Sequence, residues 1–304
     1  MSSTLDEKSA SATSAAAGGD SGYQASLWAD AWKDLRKNPF FIVSAILIVI
    51  FAVMAFRPTL FTNADPRACD LSNSVKPPSA GHPFGYDIQG CDYYARVIYG
   101  AYVSMVIGLA VVFFSVLIAL VLGAVAGYYG GVFDAIIARI ADIVFAIPII
   151  LGGIVILAAL EEQGLAQVSL VLVLLSWPTI MRLMRSQILS IKEQDYVQAA
   201  RSLGANDLRI MRVHILPNAI APVLVYATIS VGIIISSEAA LSFIGVGLQL
   251  PNISWGLQIS QAQSRILLSP HLLLFPSFFL IVLVLSFILM GDALRDALDP
   301  KLRR

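Results

Sequence analysis

Charge is what this sequence has least of. Only 13% of its 304 residues are Asp, Glu, Lys or Arg, against roughly 25% in an ordinary soluble chain. A solvated globular surface of normal composition is therefore excluded. No G-x-x-x-x-G-K-[ST] stretch occurs. The Gly-rich segment near the N-terminus is followed by neither Lys-Ser/Thr nor a strand pattern, so no phosphate-cradling loop is present and this chain is not expected to hydrolyse ATP. No nucleophile and base converge with an orienting group, so no catalytic residue is assigned and the chain is read as non-enzymatic. Histidine is limited to His82, His214 and His271. They are far apart and lack ligand spacing, so no metal site is expected. Cysteine is limited to Cys69 and Cys91. Formal net charge is zero, so global charge says nothing about partners and the distribution of charge carries the information.

What the chain has is apolar residues, 58% of the total, with a mean hydropathy of +0.79. They gather in runs near or above the roughly 20 residues that carry a helix across a bilayer core. Six such runs fall at 40–56, 97–127, 136–160, 165–181, 219–245 and 272–290. The expected fold is all-α, a polytopic membrane protein of six transmembrane helices. Pro148, Pro178 and Pro222 lie in or at the ends of these runs, where neighbouring helices can satisfy the freed carbonyls. Trp177 and Trp255 read as interface anchors. Residues 1–25 are rich in Ser, Ala and Gly and read as a disordered tail. The first apolar run comes late and no A-x-A-like site follows it, so it reads as an uncleaved span.

Lys and Arg set the orientation. With the N-terminus inside, only Arg57, Arg67, Lys76, Arg96 and Arg265 of the 20 fall outside. Both termini are thus expected to be cytoplasmic. The expected division is a tail and lead-in helix over 1–38, a first span over 39–57 and an extracytoplasmic loop over 58–96. A five-span core over 97–292 follows, with a cytoplasmic loop at 190–218, and then a cytoplasmic tail over 293–304. Both cysteines lie in the extracytoplasmic loop, a compartment that permits a disulfide. A Cys69–Cys91 bridge and a pair of free thiols both fit the sequence.

The segment YVQAARSLGANDLRIMRVHILPN, 196–218, is polar in an apolar chain and far longer than a connector requires. Its first half has high helix propensity. Gly204 supplies a residue that can take positive φ, and Asn206 or Asp207 can cap a second short helix. In that helix Leu208, Met211 and Ile215 form one apolar face and Arg209 and Arg212 lie on another. Pro217 is expected to end the unit before span five. An interfacial helix, a basic lipid-contact patch, a rigid connector and a docking helix for a cytoplasmic partner all fit these residues.

Gln198-Ala199-Ala200, then Gly204, then His214-Ile215-Leu216-Pro217 resembles the Glu-Ala-Ala loop of importer-type ABC permeases. Gln198 replaces the usual Glu, and His214 stands at the usual Ile. The ending is similar to that of the dipeptide, oligopeptide and nickel importer branch. His82-Pro83-Phe84-Gly85-Tyr86-Asp87, with Gly90-Cys91-Asp92 and Arg96, resembles the segment leading into span two of the C-type permease, with Cys91 at a usual Arg. Leu35-Arg36-Lys37-Asn38-Pro39 resembles the start of that subunit. Arg139, Asp142 and Pro148 resemble its R–D–P segment. Leu241-Ser242-Phe243-Ile244-Gly245-Val246-Gly247, Pro251 and Ser254-Trp255-Gly256 resemble another segment, with Leu250 at one of its paired prolines.

The resemblance implies a type I importer permease of the bacterial plasma (inner) membrane, paired with a second, homologous permease. Two ATPase subunits would carry ATP and Mg on the inside, and a solute-binding protein would sit outside. Membrane lipids surround it, and no nucleic acid is expected. Di- and oligopeptides are the expected cargo, with nickel chelates or another small solute as the alternative. The residues expected to couple to the ATPase are Tyr196, Gln198, Ala199, Ala200, Gly204, Leu208, Arg209, Met211 and Arg212.

Glu238, Ser230, Ser236 and Ser237 are candidates for a translocation path. A carboxylate in a span costs about 2.5–3.5 kcal/mol on insertion scales, so Glu238 should face protein or a water-filled cavity. It reads either as a path residue or as a hydrogen-bonding staple to Ser236, Ser237 or another span. Arg139 and Asp142 share a helical face and read as a structural ion pair. A secondary transporter is the alternative from another class, and a membrane protein that only recruits a cytoplasmic partner is a further one.

Overall fold

A computed structural model describes residues 27–298. The expected N-terminal tail and the last residues of the C-terminal tail lie outside the described residues. Helix α1 (Leu27–Leu35) leads into α2 (Pro39–Phe56). Asn38 caps α2, its Oδ1 accepting from the Phe40 and Phe41 amides at 2.9 and 3.4 Å, with Pro39 at the first helical position, where its missing N–H costs nothing. Helix α3 (Tyr93–Tyr129) is 37 residues long, roughly 55 Å at 1.5 Å per residue, and so projects well beyond a 30 Å core. Asp92 caps its start, accepting from the Ala95 amide at 2.8 Å. Gly130, at φ +67°, stops it.

Span three does not form as one helix. Residues Gly131–Phe145 (α4) and Ile149–Ala158 (α5) meet at 82°. Pro148 lacks the N–H that would continue α4, and its ring excludes helical backbone at the residue before it. The expectation that this proline is absorbed within a continuous span is therefore corrected. Helix α6 (Leu165–Lys192) is followed by α7 (Asp195–Ser202), a turn α8 (Asp207–Arg209), a π-helical stretch Ile210–Ile215, and α9 (Leu216–Ile244). Helices α10 (Trp255–Ala262) and α11 (His271–Leu298) complete the described residues. Among the described residues five helices are long and apolar enough to cross a membrane, or six spans if the bent pair counts as one.

The core of the bundle is α3 packed on α6 and α9, with α2 and α11 outside. Glycine permits the closest approach. A Cβ on Gly123 would sit 2.9 Å from the Met184 side chain, and one on Gly127 would sit 3.0 Å from Ile188. This is the small-xxx-small spacing that lets two membrane helices touch backbones. Gly127→Leu is expected to lower unfolding free energy by about 1–3 kcal/mol through overpacking, read as a fall in the thermal midpoint of the detergent-solubilised chain. An unchanged midpoint would remove the close approach from the account.

The segment between α2 and α3 is a compact cap stapled to the bundle. The Cys69–Cys91 disulfide is formed in this structure. Phe84 stacks on Phe275 of α11 with ring centroids 3.8 Å apart. The Tyr93 hydroxyl donates to the Leu272 carbonyl. Trp255, fully buried, donates its indole N–H to the Val97 carbonyl at 2.8 Å, and Trp177 is also buried. Both tryptophans are core residues and not the expected interface anchors, because Trp255 is enclosed by Phe51 of α2, Gly100 of α3 and Phe279 of α11, and Trp177 joins the buried cluster of Met181, Met184 and Ile188.

Candidate coupling surface and translocation cavity

At the end of the bundle opposite the disulfide, α6 runs on eleven residues past the expected limit of span four. Its Met184 and Ile188 stay buried against α3, so tertiary packing extends the helix into a polar sequence. Arg185 holds Asp134 of α4 with two bonds, at 2.5 and 2.6 Å. Asp142 lies 2.7 Å from Arg182 and 3.7 Å from Arg139. The close partner of Asp142 is thus Arg182 on another helix, and the expected Arg139 pair is the longer, more exposed contact. The Arg182 guanidinium also lies 4.2 Å over the Phe145 ring, a cation–π placement. Lys192 donates to the Tyr128 carbonyl at the C-terminal end of α3, at 2.8 Å, where the helix dipole favours a cation.

Helices α7 and α8 are clamped to this platform. The Tyr128 hydroxyl donates to Asp207 at 2.6 Å. Gln198 Nε2 donates to the Lys192 carbonyl at 3.0 Å. Val197, Ile210 and Ile215 are fully buried among Met181, Met184 and Ile188. Gly204 has φ +83°, and Asn206 caps α8 by accepting from the Arg209 amide at 2.8 Å.

Two expectations for this segment change. Leu208, expected to share one apolar face with Met211 and Ile215, is 64% exposed while Ile210 and Ile215 are buried, so the three do not share a face. The π-helical stretch aligns residues five apart, so Ile210 and Ile215 share the inner face and Leu208 turns outward. Pro217 does not end the unit either. The helix continues from Asp207 to Ile244, and the wider π turn relieves the clash of the proline ring with the carbonyl four residues earlier.

The outward face that results carries Tyr196, Ala199, Leu203, Leu208 and Val213, with Arg201, Arg209 and Arg212 among them. Leu203 is 88% exposed. Met211, Gln198 and Ala200 are half-buried supports. Apolar tips flanked by guanidinium groups on a rigid base are the chemistry of a protein-docking surface. Gln198→Glu, a return to the usual family residue, is expected to remove a donor from the Lys192 carbonyl and set a carboxylate against a helix C-terminus. A local loss of about 1–2 kcal/mol follows, read as faster amide exchange across 195–202. Unchanged exchange would show that this bond does not hold α7.

The translocation candidates scatter. Ser230 lines a cavity of about 240 Å³ where the α4–α5 break meets α3, α6 and α9. Its hydroxyl donates to the Tyr226 carbonyl at 2.8 Å. Ser236 is exposed and Ser237 buried, and their hydroxyls bond back to the Gly232 and Ile233 carbonyls. Neither holds Glu238, contrary to one expectation. Glu238 is fully buried. Its Oε1 accepts from Ser242 at 2.8 Å and from Ser254 at 3.2 Å, so it ties α9 to the N-cap of α10. The reading left over is a staple near the cap, away from the cavity. Sequence reasoning missed Ser115 and Ser176, whose hydroxyls lie 2.8 Å apart on the cavity wall with Thr179. Ser176 and Thr179, three apart on α6, were the available signal. Among the described residues no carboxylate, ammonium, guanidinium or imidazole lines this cavity. Among the described residues no three His, Cys, Asp or Glu groups gather to hold a metal.

A bundle of broken and glycine-packed apolar helices bearing a helical appendage at one end is a multi-span membrane architecture. Two solved ABC transporters share the fold. The MetNI methionine ABC transporter matches at a TM-score of 0.55 and 22% identity, over 66% of this chain and 95% of that one. An amino acid ABC transporter matches at 0.52 and 18%, over 66% and 92%. The chain belongs to the family of binding-protein-dependent transport system inner membrane components, whose model matches residues 119–304. The N-terminal TM domain of oligopeptide transport permease C matches residues 26–78. The chain is 39% identical to the dipeptide transport system permease protein DppC of Alkalihalophilus pseudofirmus, over 91% of this chain and 90% of that one. It is 38% identical to the oligopeptide transport system permease protein OppC of Bacillus subtilis, over 92% and 91%. It is 37% identical to the glutathione transport system permease protein GsiD of Escherichia coli O6:K15:H31, over 91% of each chain.

Proposed function

We propose that this chain is one of two different permease subunits of an ATP-driven importer for di- and oligopeptides. The α7–α8 surface would dock on an ATPase subunit that carries ATP and Mg. The observation that carries this reading is the combination of exposure and rigidity at that surface. Leu203 and Leu208 stand in solvent, while the backbone beneath them is fastened by Tyr128–Asp207 and Gln198–Lys192 bonds. A rigid element transmits displacement where a flexible loop would absorb it.

The Lys and Arg distribution supports the reading that this end and both termini are cytoplasmic and that the disulfide cap lies outside, facing a solute-binding protein. Closure of two ATPase subunits on ATP binding then moves both docked elements, tilts spans three to five and turns the cavity outward. Peptide released from the binding protein enters, and hydrolysis resets the assembly. The hydroxyl-lined, uncharged cavity suits neutral backbone amides, and the peptide relatives support this cargo.

The test is co-purification with the ATPase and binding-protein chains, followed by uptake of labelled di- and tripeptides into proteoliposomes. ATP-dependent peptide uptake is expected. Uptake driven by an ion gradient without ATPase chains would replace the reading with a secondary transporter. Uptake of nickel chelates alone would keep the architecture and replace the cargo.

A further inference from the structure

A second cavity, of about 430 Å³, lies on the same α6–α9 seam, lined by Leu183, Pro222, Val225, Tyr226, Arg295 and their neighbours. Its order relative to the first cavity is fixed by both helices. On α6 the first cavity uses Ser176 and Thr179 and the second uses Leu183, one turn nearer the α7 end. On α9 the first uses Ser230 and Ile233 and the second uses Pro222 and Val225, again nearer that end. Tyr226 is the residue the two linings share. Its side chain is half-buried, and its hydroxyl makes no hydrogen bond among the described residues. The ring therefore stands between two stacked spaces with nothing polar holding it there.

We propose that the Tyr226 ring is the cytoplasmic-side gate between these cavities, a specificity- and rate-determining residue for solute leaving the path. The proposal rests on the import reading above. The sequence supplies the lever. Tyr226 lies on the helix that continues from Asp207, so the docked α8 segment and the ring are joined by continuous helix. Pro222, one turn before Tyr226, removes an N–H and leaves the Asn218 carbonyl without its helical donor, which places a hinge between lever and gate. Displacement of the π-helical stretch then swings the ring about that hinge. When it swings aside, the two spaces join. The free hydroxyl offers a passing peptide one donor and one acceptor, beside Thr179 and Ser230.

The chain has two cysteines, both in the disulfide, so Thr179→Cys gives it one free thiol, in the first cavity. In the assembled complex with cysteine-free partner chains, its labelling by an impermeant maleimide added at the ATPase side reads the gate directly. Tyr226→Ala is expected to speed labelling by about tenfold or more, because the rate follows the fraction of open gate. Tyr226→Phe should keep it within about twofold, and Tyr226→Trp should slow it. Tyr226→Leu provides a smaller side chain that still fills the buried end, should the alanine variant fail to assemble. Labelling indifferent to the size of residue 226 overturns the gate. Peptide-stimulated ATP hydrolysis on the same preparations separates the two readings. Stimulation present with indifferent labelling removes the gate alone. Size-dependent labelling without stimulation by any peptide removes the import reading and leaves a gated cavity.

Discussion

Replacing Asp87 by alanine is expected to destabilise the chain by about 3–5 kcal/mol, the cost of leaving one member of a buried ion pair alone. Asp87 and Arg96 are 2.7 Å apart, and each side chain is only 5% exposed. The aspartate also organises the cap. Its Oδ1 accepts from the Gln89 and Cys91 amides at 2.8 and 2.9 Å, while Oδ2 accepts from Arg96. Arg96 in turn sits where α3 begins, and its carbonyl accepts from Gln258 of α10 at 2.8 Å. Removing the carboxylate leaves a buried guanidinium without its counter-charge, its Nε already unpartnered and its Nη1 held only by Gln89 Oε1 and the Cys91 sulfur, and frees two amides beside the disulfide. Asp87→Asn keeps the Oδ1 acceptor and loses the charge, so it should fall between alanine and the native chain. The double replacement Asp87→Leu with Arg96→Met should recover part of the loss, since an apolar pair of similar volume carries no desolvation penalty. Thermal unfolding in detergent measures all four. A single alanine variant within about 1 kcal/mol of native would refute the account of the pair as a keystone.

The legible part of this protein was what hydropathy and local signals determine. Run length marked the spans, because a bilayer core imposes a length. Gly204 and Asn206 marked a turn, because few residues take positive φ or cap a helix. What stayed hidden depends on direction or on distant partners. Pro148 lies in an apolar run whether the helix continues or turns by 82°, and hydropathy has no angular content. The π winding at Ile210–Ile215 shifted which side chains face inward, because a 3.6-residue period was assumed where the chain winds more widely. Ser254 lies 16 residues from Glu238 and Ser115 lies 61 from Ser176, so neither pair has a local signature. Trp255 looks like an interface anchor because the rule for tryptophan in membranes does not know that α2, α3 and α11 enclose this one. The staple at Glu238 and the keystone at Asp87 are therefore visible only in the fold, whereas the polar segment 196–218 stands out in the sequence alone.

Gly204→Val is expected to cut uptake and peptide-stimulated ATP hydrolysis by about tenfold or more while insertion and assembly persist. The obvious reason, crowding, is wrong here. A Cβ at Gly204 would meet nothing within 4 Å. The cost is conformational. The residue sits at φ +83°, where an L side chain costs roughly 1–2 kcal/mol, and valine is stiffer still. The turn it permits is closed by the Ala205 amide donating to the Ala200 carbonyl at 3.1 Å and the Gly204 amide to Arg201 at 3.0 Å, the arrangement that ends α7 and starts α8. Straightening it would move Leu203 and Leu208 relative to one another, and these exposed side chains flank the turn. The two explanations give different series. If space decided, alanine and asparagine would both be tolerated, since the site is open. If backbone decides, asparagine should retain most activity, alanine should lose part and valine nearly all, because asparagine enters the left-handed region most readily of the three. Uptake measured across Gly204→Asn, Gly204→Ala and Gly204→Val distinguishes them, and full uptake by the valine variant would show that the angle between α7 and α8 transmits nothing.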